Sequence, residues 1–218
     1  MSRWAQRERR ELVDALEAAG PGAPTLCEGW TAHDLVAHVV VRERRPDSMP
    51  GLVVPALAGL TERVRSGAAA RPFAALVGQL AEGPPWYSPF ALPGADEAAN
   101  VGEFFVHTED VRRGTPGWAP RDLPAGLRDQ LWSALTRRGG MFFGKSPVAL
   151  VLRRTDDGEH VAAADVEPAR FGSGDEVTVS GPAPELVLFA FGRGQAAQVE
   201  IDGPAEAVAR LHATRFGI

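Results

Sequence analysis

The chain has 218 residues, 44% hydrophobic and 23% charged, with a formal net charge of -5 and a pI near 5.6. This balance excludes disordered and collagen-like chains, argues against a nucleic-acid partner, and leaves length for one large or two small domains. No apolar run reaches the roughly 18 residues of a membrane span and the start lacks a secretory core, so a cytoplasmic protein without a membrane partner is expected.

Residues 3 to 19 place Trp4, Leu12, Ala15, Leu16 and Ala19 at helical spacing, and Gly20-Pro21 stops the run. A turn-rich segment leads to Thr31, which with Asp34 forms a T-x-x-D capping box ahead of DLVAHVVVRE. This helix is expected to run to about Arg44 and to end before Pro46. Weaker helical stretches at about 52 to 66 and 72 to 82 precede the Pro-rich loop GPPWYSPFALPG. A further helix spans about Asp96 to Arg113, followed by Gly114, and another about Leu123 to Arg138. From Pro147 the short β-rich runs ALVLRR, EHVAAADV and EVTVS, divided by Gly and Asp turns, read as a meander. Pro184 to Phe191 reads as a helix ended by the glycines of GRG at 192 to 194, QVEID as a strand and Pro204 to Thr214 as a closing helix. The fold class is thus α+β, an N-terminal helical domain over 1–142 and a small α/β domain over 147–218.

The only cysteine, Cys27, excludes an intramolecular disulfide and any multi-cysteine metal or iron–sulfur site, so a metal must be held by His, Asp or Glu. Free cysteine is more often a small buried hydrophobe than a reactive thiol. Of the 23 basic residues only Lys145 is lysine, a pattern matching the codon bias of a GC-rich genome, and arginine is here a default surface cation.

Among the five histidines one pairing stands out. In NVGEFFVHTEDVRRG, Glu103 and His107 are four apart and share a helix face, which Asp110 extends by a turn. Two readings stay open. A solvated pair contributes only about 0.2–0.5 kcal/mol, whereas a pair carried inward by the flanking Val101, Phe104, Phe105, Val106 and Val111 must be bonded or metal-bound to offset desolvation. His38 lies beside Leu35 and Val39 on the apolar side of its helix, with His33 about 140° away. A lone inward histidine can also be a satisfied core residue. His38, Glu103 and His107 together make a His₂Glu set, the composition of zinc sites that keep an open fourth position. Asp110 fits a partner orienting the His107 ring or, equally, a solvated acid at a helix end. Arg42, Arg45 and Arg113 are candidates to hold an anionic substrate, with solvated helix-end cations as the alternative. Trp30, Trp86, Trp118 and Trp132 read as packing residues, and His160 and His212 as surface or structural.

The string LCEGWTAHDLVAHVVVRERRP, followed about sixty residues later by EFFVHTEDVR, resembles the metal-binding bundle of DinB-like proteins, in particular the mycothiol-dependent maleylpyruvate isomerase group of actinobacteria. The resemblance implies an up-and-down four-helix bundle with His38, Glu103 and His107 as ligands of a divalent metal, most readily Zn²⁺, and Asp110 trailing them. VTVSGPAPELVLFAFGRG and VEIDGPAEAV resemble the small sterol-carrier-like domain that follows this bundle. Also implied is a metal-activated low-molecular-weight thiol such as mycothiol, used for transfer to, or isomerisation of, a small electrophilic substrate. RERRP and the short, Pro-rich middle are closer to an uncharacterised metal-binding branch than to the isomerase itself. A non-catalytic metal- or small-ligand-binding protein of the same fold is the alternative, and a bundle whose metal is purely structural is a third. No catalytic acid, base or nucleophile is assigned, and the oligomeric state is left open.

Overall fold

The computed structural model describes residues 3–45, 66–92, 94–156, 161–163, 176–214 and 216–217. The expected stretch at 52 to 66, its preceding Pro46 and His160 lie outside these, apart from Ser66. The chain divides into two compact units, Met1–Pro120 and Arg121–Ile218. None of the described helices is long and apolar enough to cross a membrane.

The first unit is helical. Its described helices are α1 (Arg3–Ala19), α2 (Ala32–Arg44), α3 (Phe73–Glu82) and α4 (Ala95–Arg112), with a 3₁₀ turn at Pro89–Ala91. α1 packs along α4 and against α3, and α2 packs on α3. Leu12, Leu16, Leu35, Val36, Val39, Leu76, Leu80 and Phe104 meet in the core. The α1 stripe departs from the expected one: Ala5, Glu8 and Arg9 join Leu12 and Leu16 inside, while Ala19 is exposed. The capping box at α2 forms in full, with Thr31 accepting from the Asp34 amide and the Asp34 carboxylate accepting from the Thr31 amide.

The second unit holds α5 (Ala125–Arg137), α6 (Gly139–Phe143), β1 (Ala149–Arg154), β2 (Val161–Ala163), β3 (Glu176–Gly181), α7 (Ala183–Ala190), β4 (Glu200–Asp202) and α8 (Ala205–His212). The unit boundary therefore falls at 120/121, ahead of the expected 142–147. The reason is that Leu127, Leu131 and Leu135, one stripe of α5, are buried and α5 packs on α7. Amphipathic spacing states that a helix has a buried face without stating which core receives it. α6, five residues of GGMFF, crosses the end expected for the helical domain at 142.

The sheet order is β2-β1-β3-β4. β1 pairs antiparallel with β2, and β3 pairs antiparallel with β4. β1 and β3 run parallel in the register Val151↔Thr178 and Leu152↔Val179. The expected meander is thus corrected: β3 returns to the far side of β1, which makes β1 a central strand. Its alternation, with Leu150 and Leu152 buried, is that of a one-face-buried strand and does not encode the order of its neighbours. All eight residues of α7 are buried, and it covers β1 and β3. Phe143, Phe189 and Phe216 form a cluster of rings 5.4 to 6.3 Å apart, and Phe142 meets Phe191 at 4.8 Å. At the end of α7, Gly192 takes φ +81°, the left-handed turn that the GRG signal predicts.

Candidate metal centre

α4 positions the central residues. Its stripe of Glu103, His107 and Asp110 turns inward because Phe104, Phe105, Val106 and Val111 are buried around it. Asp110 is fully buried and His107 is 7% exposed, which sets aside the solvated-pair reading. α2 supplies His38, half-buried between Ala37 and Val39, and one donor atom each from His38, Glu103 and His107 lies within 4.8 Å of the others. The His38 and His107 rings meet edge to face at 5.5 Å, and Trp30 lies 5.2 Å from the His38 ring. Trp30 is therefore a wall of the site as well as a packing residue. Trp86, by contrast, is 90% exposed and packs no core, so its expected role is corrected. His33 points elsewhere, its Nε2 bonded to the Arg71 carbonyl and its ring against Phe73. His212 is exposed, as expected of a surface residue.

The two nitrogens of His107 face different partners. Nε2 lies 3.6 Å from Glu103 Oε2, while Nδ1 lies 3.0 Å from Asp110 Oδ2. A carboxylate only accepts, so the contact at Nδ1 fixes a proton there and directs Nε2 towards Glu103 and His38. Burial alone pushes the His107 pKa down. Its bonds to Asp110, Cys27 and Glu103 win, and the value stands well above the ordinary 6.5. Burial likewise pushes Glu103 up, but its bond to His107 and the charges of Arg42, His107 and His38 bring it to about 2. Without a metal the site thus favours an imidazolium at His107 beside an ionised Glu103, with Asp110 accepting at Nδ1.

Arg42 and Arg113 are engaged inside the protein and are not solvated cations. The Arg42 guanidinium donates to Asn100 Oδ1 and, at 3.2 Å, to the Ala99 carbonyl; its Nε is 3.9 Å from Glu103 and it covers the Phe90 ring. Arg113 is 4% exposed, donates to Glu109 Oε2 at 2.6 Å and stacks on Trp118. Arg45, at the end of α2, is exposed.

Sequence reasoning underrated Cys27. Half-buried, it sits with Sγ 3.2 Å from Asp110 Oδ2, the same oxygen that His107 Nδ1 meets. The contact spans 83 positions in the chain, so no local spacing announces it. What brings it about is a loop fastened to the end of α4. The Leu26 amide donates to the Asp110 carbonyl at 3.0 Å, and Thr25 Oγ1 braces the turn by donating to the Trp30 carbonyl. Gly114 is required where the two segments meet, since a Cβ there would lie 2.0 Å from the Pro24 carbonyl oxygen. A glycine just past the histidine helix was the available signal, and it reads equally as an ordinary helix stop.

The profile of the mycothiol maleylpyruvate isomerase N-terminal domain matches residues 3–137, more than half of the chain. A crystal structure of the mycothiol-dependent maleylpyruvate isomerase matches at a TM-score of 0.53 and 16% identity, covering 92% of this chain and 90% of that one. A histidine-to-alanine mutant of the mycothiol-dependent maleylpyruvate isomerase matches at 0.59 and 19% identity, covering 92% and 93%. At these identities the structures speak for the fold. No curated protein matches the chain by sequence. With the helical unit, the small α/β unit and the profile in agreement, the chain belongs to the mycothiol maleylpyruvate isomerase N-terminal domain family.

Proposed function

We propose that the chain is a metal-dependent enzyme that uses a low-molecular-weight thiol such as mycothiol for transfer to, or isomerisation of, a small electrophilic substrate. The observation that carries this reading is the convergence of His38, Glu103 and His107 from two helices with donor atoms within 4.8 Å. Two imidazoles and a carboxylate are the donor set of zinc sites with a position left for an exogenous ligand, so the residues fit a divalent metal and zinc first. Bound there, zinc supplies a Lewis-acidic position that keeps a thiol deprotonated and nucleophilic.

In this reading Asp110 keeps the His107 ring turned with Nε2 forward, and Arg42 holds the Glu103 carboxylate ionised. Because Arg42 is bonded to Asn100 and Ala99, recognition of an anionic substrate requires it to exchange one of those bonds. Arg113, buried on Glu109, supports the end of α4 instead. Trp30 packs its ring beside His38.

The test is elemental analysis of purified protein and of Glu103→Ala and His38→Ala, followed by cobalt replacement with and without added mycothiol. One metal per chain in the wild type, lost in both variants, and a cobalt spectrum altered by the thiol are expected. Absence of metal after reloading with zinc would sink the proposal.

A further inference from the structure

His107 belongs to a second group of donors. Cys27 Sγ, a His107 ring nitrogen and an Asp110 carboxylate oxygen also lie within 4.8 Å of one another. The edges of this triangle at Asp110 Oδ2 are 3.0 Å to His107 Nδ1 and 3.2 Å to Cys27 Sγ. Metal bonds of about 2.0–2.3 Å to nitrogen, oxygen and sulfur place neighbouring ligand atoms about 3–3.5 Å apart, so the spacing suits coordination as well as hydrogen bonding. The triangle is also built to stay: Asp110 and His107 are buried on α4, and the Leu26 amide and the Gly114 contact tie the Cys27 loop to that helix. Cys27 itself is half-buried.

We propose that Cys27, His107 and Asp110 form a second, alternative cation site, selective for thiophilic divalent ions. The set combines sulfur, nitrogen and oxygen, whereas the His38 set has no sulfur, and a soft thiolate shifts preference towards ions such as cadmium. Binding at the thiol releases its proton. The site stands on these three residues alone. Its consequence for the first set rests on the functional reading above. A neutral imidazole bonds a metal through one nitrogen and keeps its proton on the other, so an ion on Nδ1 withdraws His107 from His38 and Glu103. The two sets then exclude each other, and a thiophilic ion acts as an inhibitor that needs no contact with the thiol-binding position.

Metal-free, full-length protein titrated with cadmium and followed by the ultraviolet thiolate-to-cadmium charge-transfer band tests this, because Cys27 is the chain's only cysteine. The expected result is a band that saturates at one cadmium per chain, persists in His38→Ala, and needs at least about tenfold more cadmium in Asp110→Asn. Three results overturn it. The first is no thiolate band in the folded wild type. The second is cadmium affinity no greater than that of the urea-unfolded chain. The third is a band lost in His38→Ala and unchanged in Asp110→Asn, which would place the thiol in the first set. Zinc content of Cys27→Ala protein, which keeps His38, Glu103 and His107, reports separately on the first set, so failure of one site is distinguishable from failure of the other.

Discussion

In the first unit one helix, α4, carries Asp96, Asn100, His107, Thr108, Glu109 and Asp110 into the interior. In the second, the buried ionisable groups serve chain closure: Glu185 accepts from the Gln198 amide at 2.8 Å, and Arg154 is bonded to Asp156 and Asp129. Asp156 in turn accepts from the Ala183 amide at the start of α7. The difference lies in what satisfies the buried charge. In the second unit the buried carboxylate of Glu185 meets a backbone amide, and buried Arg154 is closed locally by two carboxylates. Along α4 the helix has used its own amides, so the side chains satisfy one another. The result is a continuous path from Glu43 through Arg9, Asp96, Asn100, Arg42, Glu103, His107 and Asp110 to Cys27. One end is a bidentate ion pair of 2.7 and 2.8 Å, and the other is the donor cluster. Buried charge at one end of such a path is structural, while at the other it is, in the proposed reading, poised for a ligand.

Four experiments break or sharpen that comparison. Glu43→Ala takes the bidentate carboxylate from buried Arg9, leaving it only Asp96 at 3.4 Å and the Leu80 carbonyl, and is expected to cost about 3 kcal/mol of stability. Urea unfolding checks this, and a loss of zinc affinity with stability intact would extend the site to the far end of the path. Asp110→Asn removes the charge that orients His107 and is expected to weaken zinc binding by about 10–100-fold, read by competition with a chromophoric chelator.

Acidity gives the next effect. Because the His107 pKa is raised, its proton competes with the metal from above pH 6.5 downward, and zinc affinity should fall about tenfold per pH unit below that raised pKa. Stability of the metal-free protein runs the opposite way: the contribution of imidazolium is complete below the unfolded value of 6.5 and is lost as pH rises through the folded value. Glu103, lowered to about 2, contributes fully above 4.5 and is lost only as pH falls towards 2. A pH series of zinc titrations and thermal melts separates the three, and an affinity flat between pH 8 and 6 would contradict the imidazolium assignment. The smallest effect is expected in the second unit. Glu185→Gln keeps an acceptor for the Gln198 amide and should cost no more than about 1 kcal/mol, with zinc binding unchanged.

The capped α2, the α4 stripe and the switch to strands after Pro147 were all legible in the residues, because each rests on spacing within a dozen positions. So was the pairing of Glu103 with His107, one helical turn apart. The α1 stripe was misread at Glu8 and Arg9, since charged side chains are placed outside unless a partner is known, and Glu43 is 34 positions from Arg9. The same limit hid Cys27. It also hid the parallel pairing of β1 with β3 and the membership of α5 in the second unit.

What the sequence by itself determined is therefore local: which segments are helix or strand, where caps and stops fall, and that a His₂Glu donor set exists. The tertiary structure decided how those donors meet, which nitrogen of His107 faces which carboxylate, and that Arg42 and Arg113 are held inside. Periodicity follows from the geometry of one element, 3.6 or 2 residues per repeat, and is written in neighbouring residues. Convergence depends on how separate elements cross and on which buried charges must find each other, and that is settled only when the chain has packed.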